Sequence, residues 1–271
     1  SSPASMTLAD TVAGIGCVDR DTVQYTGTDV IFLSHTGLKS FGRTIQEKSM
    51  PISSLSGNIT KDIIDNLQSE QSFFRSVYSP EENFYLLSFV GQDVTYCFDI
   101  RTKTANGSYR VTRWPDTGFS AYAKKEDGDL LIGTSNGISQ YSGFQDNGQA
   151  YRFKYASPGL SFGDSSRIKM VKKLKPTVVG ASDTTVFLKW SYDFSGAYAI
   201  ESFQAANQTP ALFGVSEYNE SEFTGGTLVT RKSINATGFG TSVVIGVEAE
   251  INSSQLSLQE INVMALIGKL A

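Results

Sequence analysis

Short apolar runs separated by turn residues fill most of the first 160 positions of the chain. Residues 29–41 (DVIFLSHTGLKSF) contain two such runs, joined by His35-Thr36-Gly37. Residues 84–100 (FYLLSFVGQDVTYCFDI) contain two more, joined by Gly91-Gln92-Asp93. Runs of this length, bounded by Gly, Asn and Asp, are typical of β-strands joined by tight turns. We therefore predict antiparallel meanders in this part of the chain.

Residues 122–158 continue the pattern, with turns predicted at Asp127-Gly128, Asn136-Gly137 and Asn147-Gly148. The last two are Asn-Gly steps. A type I′ hairpin turn needs positive φ at both central residues, and Asn and Gly are the residues that accept it most readily. Both steps therefore predict two-residue hairpins.

One segment breaks the strand pattern. Between Ser56 and Gln68 the apolar residues follow the i, i+4, i+5, i+8 spacing of an amphipathic helix; they are Ile59, Ile63, Ile64 and Leu67. Ser56 or Asn58 is the expected N-cap, because both side chains can accept a backbone hydrogen bond. We expect this helix to link two meanders and to cover one face of a sheet.

From about Ser166 the predicted strands are longer and alternate apolar with polar residues, as in Val243, Ile245 and Val247 against Glu248 and Glu250. The change places a domain boundary near residues 157–166. The predicted fold class is all-β. Residues 1–160 form β-propeller-like meander blades and residues 161–271 form a C-terminal β-sandwich-like domain.

The number of blades sets a further expectation. A four-stranded blade takes about 40–50 residues, and a propeller needs at least four blades to close. Residues 1–160 supply about three. We therefore expect this partial propeller to be completed by further N-terminal sequence or by other chains.

Composition excludes several classes of protein. Hydrophobic residues make up 40% of the chain and charged residues 18%, which excludes a disordered chain. The net charge of −4 gives no general attraction to nucleic acid, so any DNA contact is expected to be local. No apolar run approaches the ~20 residues of a membrane-spanning helix. Cys17 and Cys97 lack metal-ligand spacing and are expected to be free buried thiols, and no cofactor is expected.

Catalytic patterns are weak. Gly159-Leu160-Ser161-Phe162-Gly163 matches G-x-S-x-G, but a nucleophile elbow needs a strand before it, a helix after it and a histidine later in the chain. Pro158 precedes the motif, and the only histidine, His35, lies before Ser161. We interpret the motif as a turn and His35 as a turn residue. The chain is not expected to be an enzyme.

Two other sets of residues allow alternatives. Asp29, Asp99 and Asp129 are candidate carboxylates for a glycosidase, although nothing in the sequence makes them converge. Trp114 and Trp190 are predicted to anchor the core, and a sugar-stacking platform is the alternative for each.

Five cationic residues fall within nine positions: Arg167, Lys169, Lys172, Lys173 and Lys175. In a regular strand Lys169, Lys173 and Lys175 would share one face, because side chains alternate between faces. The functional interpretation is a basic stripe that lines a channel or contacts phosphate. A solvated strand face is the alternative.

A near-repeat of acidic and aromatic residues occurs in SEYNESEF (216–223). Glu217-Tyr218 and Glu222-Phe223 are candidates for contact with a neighbouring subunit. An ordinary segment beside a turn is the alternative.

Several stretches together resemble a family of virion proteins of short-tailed phages, the tail nozzle (tail tubular protein B) and the related tail-hub or packaged-DNA stabilisation proteins. The resemblance rests on the ordered combination of residues 29–51, 75–89, 127–148, 188–194, 216–223 and 257–270, which spans both predicted domains. No segment is a catalytic signature. The family is usually longer, with β-rich sequence on the N-terminal side, in keeping with the partial propeller.

The resemblance implies a structural subunit that forms a ring, commonly a hexamer, below the head–tail adaptor and around the channel through which DNA leaves. The implied partners are further copies of the chain, the adaptor and tail fibre proteins, with transient non-specific contact to DNA. The implied location is the virion tail, after assembly in the host cytoplasm. The alternative is a receptor- or carbohydrate-binding β-propeller module of a virion or cell surface, marked by clustered exposed aromatics; a glycosidase comes third.

Overall fold

The computed structural model describes residues 15–42, 54–68, 73–180, 184–205, 229–252 and 254–270. The chain is all-β, as predicted, and is built from antiparallel sheets. It divides into two compact units, Ser1–Tyr141 (the N-terminal unit) and Ser142–Ala271 (the C-terminal unit). The division precedes the predicted boundary because the strand Tyr151–Ala156 pairs with Val243–Ile251 inside the C-terminal unit.

The described part of the N-terminal unit contains three sheets whose strands follow one another in sequence order. The first is formed by β1 (Gln24–Tyr25), β2 (Val30–Ser34) and β3 (Gly37–Ser40). The second is formed by β4 (Phe74–Ser79), β5 (Phe84–Phe89), β6 (Val94–Lys103) and β7 (Tyr109–Pro115). The third is formed by β8 (Ala121–Lys124), β9 (Leu130–Thr134) and β10 (Gly137–Gln140). Consecutive meanders are the units from which propellers are built, and the propeller itself stays a prediction.

The second sheet is buried on both faces. All six residues of β5 are buried. Tyr85, Leu87 and Phe89 pack in one cluster with residues of the first sheet, whereas Phe84 and Leu86 pack with residues of β9. Successive side chains of a strand point to opposite faces, so this near-continuous apolar run places the central sheet between the other two.

The predicted turns are found, although not all have the predicted geometry. At Asn147-Gly148 both residues have positive φ, 47° and 79°, and Asp146 and Gln149 exchange two backbone hydrogen bonds of 2.8 Å, as in a type I′ hairpin. The prediction of the same turn at Asn136-Gly137 is wrong. Gly137 already belongs to β10 and pairs with Thr134, so the two loop residues are Ser135 and Asn136.

The predicted helix is present as α1 (Thr60–Leu67), which lies between the first and second sheets in the sequence. Ile63 is fully buried in the core. The predicted caps are wrong: the N-cap residue is Ile59, without a side-chain hydrogen bond. The helix is fixed instead through Tyr96, whose hydroxyl donates to the carboxylate of Asp62 at 2.5 Å and accepts from the Asn66 amide at 2.7 Å.

The C-terminal unit has two sheets in its described residues. One has the order β11-β17-β13-β14, with β11 (Tyr151–Ala156), β13 (Thr185–Tyr192), β14 (Ala199–Gln204) and β17 (Val243–Ile251). The other is built on β12 (Arg167–Gly180), which pairs along its length with β18 (Leu256–Leu270). β18 occupies one edge of β12. Two short strands, β15 (Val229–Arg231) and β16 (Ile234–Asn235), also pair with β12 and occupy its other edge.

One hydrophobic core joins these two sheets. Val171, Leu174 and Val178 of β12 lie in the same cluster as Trp190 of β13 and Val247 of β17. Side chains from two sheets thus interdigitate in a single apolar layer, the arrangement of a β-sandwich. The sandwich-like C-terminal fold predicted from the alternating pattern is present.

Candidate functional surfaces

The basic residues predicted to form one stripe lie on β12 but do not share one face. Lys172, Lys173 and Lys175 are exposed, whereas Lys169 is completely buried. The register with β18 shifts between Val171 and Lys173, as in a β-bulge. A bulge adds one residue and reverses the alternation of the residues beyond it. The prediction that Lys169 belongs to the stripe is therefore wrong.

Lys169 has a local structural role instead. Its ammonium group donates to the backbone carbonyls of Asp164 and of Arg167, the latter at 2.7 Å. Arg167 in turn forms an ion pair of 3.1 Å with the carboxylate of Asp164. A buried ammonium group is tolerated when its donors are satisfied. Lys169 thus fixes the turn that precedes β12.

The exposed part of the stripe gains a member from a neighbouring strand. Arg231 of β15 lies opposite Thr177, which shares the outer face of β12 with Lys173 and Lys175 by alternation. We define Lys173, Lys175 and Arg231 as the basic face. None of the three has an ion-pair partner within the described part of the chain. The carboxylate near them, Glu260, accepts a hydrogen bond of 3.2 Å from Thr177.

The outer face of the other sheet has the opposite character, because its central charges are paired. Glu248 on β17 accepts from Lys189 at 2.8 Å and from Arg152 on β11. The hydrogen bonds from Lys189 and Arg152 hold the pKa of the Glu248 carboxyl below its usual range. Among the described residues, the central charges are thus paired on one outer face of the sandwich, whereas the basic face on the other has no ion-pair partner.

No protein-family model matches the chain, and no curated protein matches it in sequence. Function must therefore be argued from the surfaces themselves. Among the described residues no helix has the length and apolar character to cross a membrane. The candidate contact residues Glu217, Tyr218, Glu222 and Phe223 lie outside the described residues.

The motif at residues 159–163 is a turn between β11 and β12, as predicted. Leu160 exchanges backbone hydrogen bonds with Val243, and the backbone N–H of Asp164 donates to the carbonyl of Ser161 at 3.2 Å. Phe162 and Gly163 both have positive φ. No helix follows Ser161, because the chain enters β12, so the motif lacks the geometry of a nucleophile elbow. His35 is an exposed residue of the loop between β2 and β3.

Each of the three candidate carboxylates is held by residues close to it in its own meander. Asp29 accepts from the backbone N–H groups of Val30 and Gly42, both at 2.8 Å. Asp99 accepts from Arg101, whose guanidinium lowers the pKa of that carboxyl. Asp129 accepts from Lys125 at 2.6 Å. Within the described ranges no group of three or more His, Cys, Asp and Glu side chains could hold a metal ion.

The two tryptophans have different environments. Trp190 is a core residue, 3% exposed, as predicted. Trp114 is half-buried and stacks on the ring of Tyr141 with a centroid distance of 6.3 Å and an interplanar angle of 9°. That stack covers one face of the Trp114 ring, which weakens the sugar-platform alternative for this residue.

The cysteines also differ, and neither is fully buried as predicted, since Cys97 is half-buried. Both are free, but Cys17 is exposed rather than buried. Burial raises the pKa of the Cys97 thiol to about 12. Because alkylation needs the thiolate, we expect Cys97 in the native protein to react with iodoacetamide at pH 8 at least about 100-fold more slowly than Cys17. Peptide mass spectrometry of the labelled protein measures both rates; equal rates in the native state would contradict the partial burial of Cys97.

Two features of these surfaces were missed by the sequence reasoning. Arg231 joins the basic face only through the pairing of β15 with β12, and its position 56 residues from Lys175 gives no sequence signal. Large exposed apolar residues gather at one end of the C-terminal unit. Phe162, Phe194 and Phe239 stand beside Gly or Ser in SFG, DFSG and GFG. Because Gly and Ser are typical of turns, this pattern could have predicted phenylalanines in exposed loops.

Proposed function

We propose that this chain is a non-enzymatic structural subunit of the tail of a short-tailed phage, where copies of it form a ring around the DNA channel. The observation that carries the proposal is the basic face, a set of cations on one face of a β-sheet that have no ion-pair partner among the described residues. The ordered resemblance to tail nozzle proteins supplies the assembly in which such a face would meet DNA. In this proposal the chain acts by shape and charge, and no residue performs chemistry.

The amount of charge suits a channel through which DNA must move. Each neutralised phosphate releases counterions and adds affinity, so a surface with many cations would retain DNA. Lys173, Lys175 and Arg231 offer about three contacts per subunit, within an overall acidic chain. Contact is therefore expected to be weak, independent of base sequence and sensitive to salt.

The sheet that carries these residues is built to stay rigid. β12 pairs with β18 on one edge and with β15 and β16 on the other, and its inner face belongs to the core of the sandwich. Lys173 and Lys175 therefore sit on a strand without a free edge, and Arg231 sits on β15, which pairs with that strand. A rigid wall with a few fixed charges can guide a polyanion without wrapping around it.

The replacement of Lys173, Lys175 and Arg231 together by Gln tests the basic face. For duplex DNA the slope of log K against log salt is about −0.9 per phosphate contact, so the magnitude of the slope is expected to fall by about 2.7 if each residue makes one contact. Fluorescence anisotropy of a 30-base-pair duplex, titrated between low and physiological salt, measures it. The folded state should be unaffected, since all three side chains are exposed.

A variant with Lys61, Arg110 and Lys154 replaced by Gln is the matched control, because it removes the same charge from exposed positions elsewhere. It should leave the slope unchanged. Native mass spectrometry of the unmodified chain should give a particle of about six subunits. A folded monomer with the same slope in both variants would sink the proposal, and binding on a glycan array would then favour a carbohydrate-binding module.

A further inference from the structure

Three phenylalanines project from loops at the same end of the C-terminal unit. Phe162 lies in the loop before β12, Phe194 follows β13, and Phe239 lies in the loop before β17. They are 39%, 72% and 66% exposed. We call this group, with the neighbouring Met170, Leu266 and Ile267, the aromatic end.

The backbone at two of these residues is in an unfavourable conformation. Phe162 has φ of 50° and Phe194 has φ of 54°, the left-handed region that bulky residues rarely occupy. Asn or Gly would fit both positions at lower cost. Local strain of this kind is maintained by the surrounding structure and is concentrated at functional sites. Phe194, which is 72% exposed, gains little from burial within its own chain.

The three loops are tied to one another. The Asp193 carboxylate accepts from the backbone N–H groups of Thr241 and Ser242, at 2.8 and 2.9 Å, which links the Phe194 loop to the Phe239 loop. Lys169 and Gly240 exchange backbone hydrogen bonds of 2.6 and 3.0 Å, which links the Phe239 loop to β12.

The remaining link involves Gly159. The ring of Phe194 lies over it, since a Cβ at residue 159 would lie 2.5 Å from Cζ of Phe194. The loop that carries Phe162 is therefore held against the loop that carries Phe194. All three phenylalanines are presented on a preorganised scaffold, which lowers the entropy lost on binding.

The exposed apolar surface of the aromatic end is large. With about 200 Å² for each large apolar side chain, the three phenylalanines together with Met170 and Leu266 expose roughly 550 Å², and Ile267 exposes further area on the opposite face of β18. That matches the largest apolar patches of monomeric proteins and approaches the ~800 Å² that each partner buries in a stable protein interface. The patch continues from the loop tips onto the β12–β18 pair through Met170 and Leu266, which lie opposite one another.

A free strand edge and a groove adjoin this patch. Within the described residues β18 pairs only with β12 and β11 pairs only with β17, so one edge of each is open. A groove of about 550 Å³ lies between them, and Pro158, Leu160 and Ile261 are among its lining residues. Leu160 lies two residues before Phe162, so the groove adjoins the loop that carries Phe162. Strand-edge N–H and C=O groups beside apolar side chains suit contact with another protein chain. Such a chain can supply both backbone hydrogen bonds and apolar side chains.

We infer that the aromatic end is the surface through which one copy of the chain contacts a second copy. The charges around it favour this partner over a membrane. Lys169 is buried, and Asp164 and Asp193 balance the exposed Arg167 and Lys172, so these residues give no excess of cations to attract anionic lipid and no net like charge to repel an identical copy. The inference rests on the proposed ring, for which it names the subunit contact.

The test uses the full chain with Phe162→Asn, Phe194→Asn and Phe239→Ser. Asn accepts positive φ, so the folded monomer should be at least as stable as the unmodified protein, while the assembly should need at least 10-fold higher concentration to form. A dilution series by native mass spectrometry measures assembly, and urea unfolding measures stability. A variant with Phe144, Tyr151 and Phe187 replaced by Ser is the control, because each of these residues is 41% exposed in the same unit.

The outcomes separate this inference from the proposed function. A ring that forms equally well from the aromatic-end variant overturns the inference and leaves the proposed function standing. An unmodified chain that stays monomeric at all concentrations overturns both. Co-sedimentation of the unmodified chain with phosphatidylcholine vesicles containing one-third phosphatidylglycerol, lost in the variant, would assign the aromatic end to a membrane and also overturn the inference.

Discussion

Replacement of Trp190 by Ala is expected to destabilise the C-terminal unit by about 3–5 kcal/mol, the range for removal of a buried aromatic side chain. Trp190 is 3% exposed and lies among residues of both sheets of the sandwich. It pairs across β13 with Ile245 on one side and with Ala199 on the other. A cavity at this position removes contacts from both layers at once, and a close-packed core relaxes only partly.

Trp190→Phe separates packing from hydrogen bonding. The indole Nε1 donates to the backbone carbonyl of Thr237 at 2.9 Å. Phe restores most of the volume but leaves that carbonyl without its donor, so a loss of about 1–2 kcal/mol is expected. Thr237 begins the loop that carries Phe239, and the same variant should therefore also loosen one of the three loops of the aromatic end.

Urea unfolding followed by far-UV circular dichroism measures both losses. Trp114→Ala in the N-terminal unit is the matched control, because this residue is half-buried at the edge of its cluster and should lose clearly less than Trp190→Ala. Equal losses from the two Trp→Ala variants would contradict the assignment of Trp190 as the central residue of its core.

The local pattern of the sequence predicted the strand-rich architecture because each strand carries its own signal. The run at residues 84–89 is apolar except at Ser88 and is buried at every position, since sheets cover both of its faces. Asn147-Gly148 predicted its turn correctly because the two residues alone determine the favoured backbone conformation. The helix near residues 60–67 was predicted from its apolar spacing, although the cap was not.

The candidate surfaces were predicted less well, because they depend on pairing between distant strands. The basic face needs Arg231 from β15, and no periodicity connects that residue to Lys173. Strict alternation along β12 also fails at the bulge after Val171, and one inserted residue exchanges the faces of everything beyond it. Lys169 is therefore in the interior, whereas strict alternation predicts it on the surface with Lys173 and Lys175.

Lys169→Met is therefore expected to destabilise the C-terminal unit by about 2–3 kcal/mol. Met retains the aliphatic stem of the buried side chain, so little packing is lost. The ammonium group, however, is the donor to the carbonyls of Asp164 and Arg167, and its removal leaves both without that charged partner. Urea unfolding measures the change, and anisotropy of the 30-base-pair duplex measures whether DNA contact changes as well.

Lys175→Met is the matched control, since it removes the same charge from an exposed position of the same strand. The two variants should have opposite profiles. Lys175→Met should leave stability within about 0.5 kcal/mol of the unmodified protein and reduce the magnitude of the salt slope by about 0.9, whereas Lys169→Met should lose stability with the slope unchanged. A reduced slope with unchanged stability in Lys169→Met would place this residue on the surface, as strict alternation requires, and would contradict the bulge that separates it from the basic face.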